Sequence, residues 1–395
     1  MKLPFLAAFG GDRLADAMWD VALVWIAVRS GSPQAAALIM ICGVVPQIAV
    51  ALIGGAVGDR LGLYRTASAT FLARGITLGL FAGLLMASAT PPVAAIAVIA
   101  ALIGLIDAFH MPAVHGIPGL LDVVQEQIQG AMQATRNVAS IVAAPLIAVL
   151  LGWSVSWSVG VCAFLAGLSA LLLMRTKREV ERNADASGGP DGSVWALAAE
   201  GVKYVAHNAR LRLLLVIFAA ANLFSTSPMM LGIGLKASEL GWSALTYGSV
   251  FAAVAVGGVI GSLVLSKWGD KVTDPVSTGL VTLVGTGGCI ALLSVASTAP
   301  LAAAAGFAAG LVSAPGIGLL VSEVRRQAGP QMMGRVMSAL QLATFSCIPL
   351  GHLAFGLLTR TNSVGLAGSV MGAALIMVAG LGLFSHRRNV ERAIS

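Results

Sequence analysis

Three aspartates, Asp12, Asp16 and Asp20, recur every four residues in "GDRLADAMWD" (11–20), directly before the wholly apolar "VALVWIAV". Positions i, i+4 and i+8 share one side of a helix, so the carboxylates form a ladder about 12 Å tall at about 1.5 Å rise per residue. Each such group near a bilayer centre costs roughly 2.5–3.5 kcal/mol on insertion scales, whereas a Leu or Ile returns only about 0.3–0.6 kcal/mol. The ladder must therefore line an internal cavity or pair with cations of neighbouring helices. Two arginines lie at comparable depth in other apolar runs: Arg74, nine residues beyond Arg65, and Arg136, on a polar stripe with Gln129, Gln133 and Ser140. A carboxylate paired with arginine stays ionised and one desolvated alone favours its neutral form, so a group that alternates between the two carries protons. Asp16 and Asp20 are the deepest and are the proton-coupling candidates, with Arg74 and Arg136 as their partners; the alternatives are a static ion-pair network that orients spans one, three and five, or exposure to the cytosol, and Asp12 is expected to be wet at the cytoplasmic edge. Adjacent acids of this kind titrate as a coupled set.

The elements that hold these residues follow from composition. Of 395 residues 57% are hydrophobic and only 10% charged, with a mean hydropathy of +0.90, which marks a polytopic membrane protein. Apolar runs long enough to cross a bilayer give twelve candidate spans, at 5–28, 34–57, 66–88, 92–111, 127–151, 155–174, 211–235, 243–267, 275–297, 299–321, 334–358 and 364–385. Only six of the 24 Lys and Arg lie away from the connections on one side: Arg29, Lys236 and Arg360 in the opposite connections, and Arg13, Arg74 and Arg136 within spans. That bias places both termini in the cytoplasm. The net charge of +7 is explained by an inner basic rim facing anionic lipid, so nucleic acid is not an implied partner. "MKLPFLAAFG" is interrupted by Asp12 and Arg13 and reads as the start of span one rather than as a signal peptide.

The one long polar connection, "RTKREVERNADASGGPDGS" (175–193), divides the spans six and six. The expected organisation is an N-terminal bundle over 1–174, a cytoplasmic linker with an amphipathic surface helix over 175–210, and a C-terminal bundle with a short basic tail over 211–395. The halves share landmarks in one register: Pro112 and Pro315, Gly130 and Gly334, and the Pro-Leu pairs at 145 and 349 are 203 or 204 residues apart. A parallel repeat of six spans builds a cleft between two bundles that rock against each other, with the substrate site near the midplane. The predicted fold class is an all-α integral membrane protein of twelve transmembrane helices, two six-helix bundles around a central cavity.

"GGAVGDRLGLYR" (54–65), with Gly55, Gly58, Asp59, Arg60, Gly62 and Arg65, resembles the signature loop between spans two and three of the major facilitator superfamily. "AFHMPAVHGIPGLL" (108–121), Gln127 with Gly130, "GPQMMGRVMS" (329–338) and "WIAVRSGSP" (25–33) resemble the macrolide-efflux type of drug:proton antiporter. The resemblance implies a gating role for Asp59, which would hold the halves together on the inner side by pairing with a helix N-terminus or an arginine. Three features depart from that pattern. Leu63 and Tyr64 stand where a basic residue is usual, span four lacks the arginine of many such antiporters, and "AAPLIAVLLG" (143–152) matches the span-five antiporter motif only loosely. Proton coupling is therefore inferred rather than read from a motif.

Asp107 in "LIDAFHMP" lies close to the inner end of span four, with His110 and His115 nearby, and is either a structural partner for a loop arginine or part of the substrate cavity. The second half offers Asn222, Met229, Gln341 and Phe345, a largely apolar wall that, with Asp12, Asp107 and Gln133, suits a small amphiphilic substrate. No phosphate loop, nucleophile elbow or metal-binding pattern occurs, and Cys42, Cys162, Cys289 and Cys347 are scattered singly. Neither enzyme chemistry nor a cofactor or metal is implied, and the energy source is a gradient. The expected function is a monomeric secondary active exporter in a bacterial inner membrane, exchanging inward protons for an outward drug or metabolite. A lipid or lysolipid flippase of the same fold, and a receptor that binds without transporting, are the alternatives.

Overall fold

A computed structural model describes residues 2–88, 91–121, 125–175 and 203–394, without the side chains of 2, 51–60, 125, 126, 270, 329–331, 334, 338 and 389–394. The described chain forms two compact units, Met1–Val194 and Trp195–Ser395. The first contains α1 (Lys2–Arg29), α2 (Pro33–Leu61), α3 (Leu63–Ala87), α4 (Val93–Gly116), α5 (Gln125–Trp153) and α6 (Val155–Met174). The second contains α7 (Ala209–Ser227), a π-helical turn at Pro228–Gly232, α8 (Ile233–Glu239), α9 (Ala244–Trp268), α10 (Pro275–Val295), α11 (Ala299–Thr361) and α12 (Val364–Ile394). No strand occurs among the described residues. Most of the expected linker, and the first part of its surface helix, lie outside the described residues.

Local chemistry sets the helix starts. The Ser32 hydroxyl accepts the Ala35 N–H at 3.2 Å ahead of Pro33, the Ser243 hydroxyl accepts the Thr246 N–H at 3.1 Å, and the Asn208 side chain accepts from Arg210 and Leu211. Gly62 provides the φ of +89° that lets the chain turn from α2 directly into α3. Eleven described segments are long and apolar enough to cross a membrane, with mean hydropathies from 1.5 to 2.2. The remaining long helix is α1, whose 28 residues suffice in length but include Asp12, Arg13, Asp16 and Asp20.

Helical backbone extends further than the apolar runs. Spans expected separately at 299–321 and 334–358 belong to one helical stretch, α11, in which Ala299–Ala328 and Arg335–Thr361 are the two membrane-length segments. Polar side chains carry the first of them past its apolar part: Arg326 Nε and Gln327 Nε2 each donate to Glu323 at 2.8 Å, three and four residues back. Leu320, Val324 and Ala328 on one side of Pro330, and Val336, Ala339 and Leu340 on the other, share one buried cluster with α7, α10 and α12.

Within each unit helices meet through small residues. A Cβ on Gly104 of α4 would lie 1.8 Å from the Gly43 carbonyl of α2, and one on Gly257 of α9 would lie 2.1 Å from the Phe307 carbonyl of α11. Lipid tails provide no hydrophobic drive between helices, so this close approach supplies packing energy in its place. Large apolar side chains such as Leu80, Trp157 and Phe164 face outward instead.

Candidate functional site

The acidic ladder of α1 is built into the first unit. Phe5 and Phe9, each 1% exposed, pack with Tyr64 and Phe71 of α3, Val114 of α4 and Met132 of α5, so the first turns of α1 are already inside the bundle. Asp12, ten residues beyond the helix start, is consequently 0% exposed. This corrects the expectation that it is wet at the edge. Its Oδ2 receives Arg13 Nε at 3.0 Å and Arg13 Nη2 at 2.5 Å, and lies 3.1 Å from His110 Nε2; its Oδ1 lies 3.4 Å from Arg74 Nη1.

Arg74, on α3 and 0% exposed, is the hub. It reaches two acids of α1, Asp12 and Asp16, and at 3.5 Å Asp107 of α4. Asp16 is shared with Arg13, whose Nη1 is 3.1 Å from its Oδ2. Arg13 Nη1 also contacts the Met111 sulfur at 3.5 Å, tying α1 to α4 a second time. Asp16 and Asp107 are 24% and 17% exposed, so the cluster opens on their side while Asp12 and Arg74 close its floor. Desolvated ion pairs of this kind persist only where each charge keeps its partners, which a hub bridging three helices ensures.

Asp20 and Arg136 are placed differently from the expectation. Asp20 is exposed, and neither it nor the half-buried Arg136 makes an ion pair among the described residues. Arg136 Nε is buried without a hydrogen-bond partner. Asp107 meets the intramembrane Arg74 rather than a loop arginine. Arg13, His110 and Thr70 join the site without having been singled out for it. The spacing of Arg13 with Asp16 (i, i+3) and of Asp107 with His110 (i, i+3) was the available signal.

Of the cavity candidates, Gln133 is exposed on α5 and donates to Asn137 at 3.1 Å. Asn222 donates to the Phe218 carbonyl of its own helix at 3.0 Å, and Met229 packs in the π-helical turn against the core of the second unit. Gln341 and Phe345 are exposed on α11. In the signature loop Gly62 makes its turn and Arg65 is exposed; Gly55, Gly58, Asp59 and Arg60 continue α2, and their side chains lie outside those described. The four cysteines are unpaired, and no group of His, Cys, Asp and Glu suited to a metal ion occurs among the described residues.

Two units of membrane-length helices, one with a buried ion-pair hub, define the class as polytopic membrane protein. The sequence profile described as Major Facilitator Superfamily matches residues 6–352, and the chain belongs to that family. No curated protein matches the chain. Among solved structures, the nucleoside transporter NupG in a single-substitution variant is similar with a TM-score of 0.76 and 12% identity, over 97% of this chain and 98% of that one. A variant of the peptide transporter POT in complex with sulfate is similar with a TM-score of 0.75 and 15% identity, over 98% of this chain and 94% of that one. At these identities the likeness is one of fold.

Proposed function

We propose that the protein is a proton-coupled secondary exporter of small amphiphilic drugs or hydrophobic metabolites, working by alternating access as a monomer in a bacterial inner membrane with both termini cytoplasmic. The observation that carries this reading is the hub itself: Arg74, fully buried, holds carboxylates from α1 and α4 at once. A side chain so placed links the positions of three helices to the charge state of its acids. Asp20, one turn beyond Asp16 and without a cation of its own, is the entry acid. A proton passed to Asp16 removes the charge that Arg74 and Arg13 hold, and the two conformations shift in population by the difference in stabilisation that this creates.

The macrolide-efflux resemblance supports the direction and substrate class, with Gln133, Asn222, Met229, Gln341 and Phe345 as wall residues and the Gly55–Arg65 segment as the inner latch. In proteoliposomes carrying a pH-sensitive dye, a macrolide gradient drives proton flux through the parent chain. Asp16→Asn and Asp20→Asn each reduce that flux to the level of empty vesicles. Both variants remaining as active as the parent overturns the coupling assignment. Movement of lysolipid but no drug places the chain with the flippases instead.

A further inference from the structure

His110 on α4 is 0% exposed and fixed at both ring nitrogens: Nε2 is 3.1 Å from Asp12 Oδ2 on α1, and Nδ1 is 3.0 Å from Thr70 Oγ1 on α3. The Phe71 ring meets it edge-on with centroids 4.6 Å apart, so its orientation is set by packing as well as by hydrogen bonds. Thr70 makes this arrangement unusual. Its Oγ1 is 2.9 Å from both the Thr66 and the Ala67 carbonyl, so its single proton has a backbone acceptor whenever Nδ1 does not need it. With a neutral ring, Nε2–H donates to Asp12 and the Thr70 hydroxyl donates to Nδ1. With a charged ring, Nε2–H still donates to Asp12, Nδ1–H donates to Thr70 Oγ1, and the hydroxyl turns to the backbone. Both states satisfy the two ring nitrogens and the Thr70 hydroxyl with no movement of heavy atoms.

Charge balance favours use of both states. The groups in direct contact are three acids (Asp12, Asp16 and Asp107), two guanidinium groups (Arg13 and Arg74) and His110. With a neutral imidazole this set keeps one excess negative charge; with an imidazolium it is neutral. The other ionisable groups facing this region are Asp20 on α1, His115 on α4, Arg136 on α5 and the Cys162 thiol on α6.

We propose that His110 is a second proton-binding site of the transporter, loaded through its bond to Asp12 and buffered by the switchable hydroxyl of Thr70. It rests on the transport reading above and extends it: one proton moves on the Asp16–Asp20 pair and a second is held on the ring, so each transport cycle moves one proton more than the carboxylates alone provide. When Asp12 is released from Arg13 or Arg74, the ring proton is the remaining positive partner of that acid. Loading His110 and breaking the Arg74 contacts are thereby linked.

The test uses the full chain in proteoliposomes. His110→Gln retains an N–H for Asp12 and an acceptor for the Thr70 hydroxyl but holds no proton. Its proton-to-substrate ratio, read from the gradient at which flux reverses, is expected to fall by one, and the pH dependence of transport to flatten. Thr70→Val removes the switchable partner of Nδ1 and is expected to change the pH dependence of transport, whereas Thr70→Ser leaves it in place. An unchanged ratio and pH profile in His110→Gln overturns the proposal. An independent measurement needs no transport: 15N labelling of the five histidines in solubilised parent protein, with His110 assigned by its absence in His110→Gln. Both ring nitrogens carrying protons at the acid end of a pH series, and one at the alkaline end, is the expected result; a single neutral tautomer throughout overturns it. Should the parent move no protons at all, the exporter reading fails, and the ring titration still decides whether His110 binds a proton.

Discussion

The two units are built on the same helix pairings and differ in what they bury. α2 packs on α4 as α9 packs on the first segment of α11, α3 on α6 as α10 on α12, and α1 on α5 as α7 on α11. In the first unit the buried polar core is a six-residue network with five formal charges and a histidine. In the second, among the described residues, a fully buried side-chain contact joining two helices is uncharged, with Ser227 Oγ 3.1 Å from His352 Nδ1 between α7 and α11, and the partly buried Lys236 Nζ donates to the Ser294 carbonyl at 2.8 Å. The buried carboxylate there, Glu323, is 3% exposed but is satisfied by Arg326 and Gln327 of its own helix. A duplicated scaffold thus keeps its packing in both copies, while the ion pairs that bridge buried helices lie, among the described residues, in the first. The asymmetry concentrates the buried, helix-bridging ion pairs of the described residues in the first unit.

The sharpest way to break this comparison is to remove the hub. Arg74→Met leaves Asp12 buried with one guanidinium fewer and Asp107 without a cation, and breaking a buried pair from one side costs about 3–5 kcal/mol. For a unit of this size the apparent thermal midpoint of the solubilised protein is expected to drop by roughly 10 °C. Glu323→Gln keeps size and an acceptor on a single helix whose Arg326 partner is 68% exposed, and is expected to cost less than about 1 kcal/mol. Equal losses in the two variants would mean that the charge network of the first unit is no more structural than a local helix pair.

The shared half of the comparison is tested by adding a methyl group to each scaffold. Gly104→Ala drives a Cβ to 1.8 Å from the Gly43 carbonyl, and Gly257→Ala drives one to 2.1 Å from the Phe307 carbonyl. Backbone carbonyls cannot rotate away, so α4 must move off α2 in one unit and α9 off α11 in the other, at about 1–3 kcal/mol each. Lowered thermal midpoints of similar size in both variants support equivalent packing. A fully tolerated Gly257→Ala beside a destabilised Gly104→Ala would restrict the close approach to the first unit.

What could be read ahead of the coordinates follows the same divide. Spans were legible because an apolar run of membrane length has few other uses; the repeat was read from prolines and glycines 203 or 204 residues apart. The presence of an acid ladder needing cations was legible too, as was Arg74 as one of them. Which cation meets which acid was not. Depth counted along one helix says nothing of what its neighbours cover, so Asp12 looked like an edge residue, although Phe5 and Phe9 bury the turns before it. Arg136 has the right depth on α5, yet Arg13, on the same helix as the acids, reaches Asp16 from three positions away. Thr70 is an unremarkable residue in sequence; its part depends on His110 standing opposite it across two helices.

The smallest expected effect lies where the units differ at a helix start. α10 begins at Asp274, whose Oδ1 accepts the Val276 and Ser277 N–H groups at 3.1 Å each and whose Oδ2 lies 3.3 Å from His386 Nε2. The matching helix of the first unit, α3, begins at Gly62 with no side-chain cap. Partial burial pushes the Asp274 carboxyl up, but the hydrogen bonds from Ser277, joined by His386, outweigh it and hold the acid below its ordinary range. A folded-state value below the unfolded one stabilises the protein at pH above the unfolded value, near 4, and that stabilisation is lost as pH falls through the folded value. Asp274→Ala is therefore expected to lose about 1 kcal/mol at neutral pH, seen as a lowered thermal midpoint, and Asp274→Asn, which still caps the helix, a smaller amount. The gap between parent and Asp274→Ala narrows as the acid is protonated below about pH 4, because the parent then loses the charge-assisted part of its cap. A gap of undiminished size at pH 3 would assign the stabilisation to the neutral geometry of the turn, and the helix starts of the two units would then differ in shape rather than in charge.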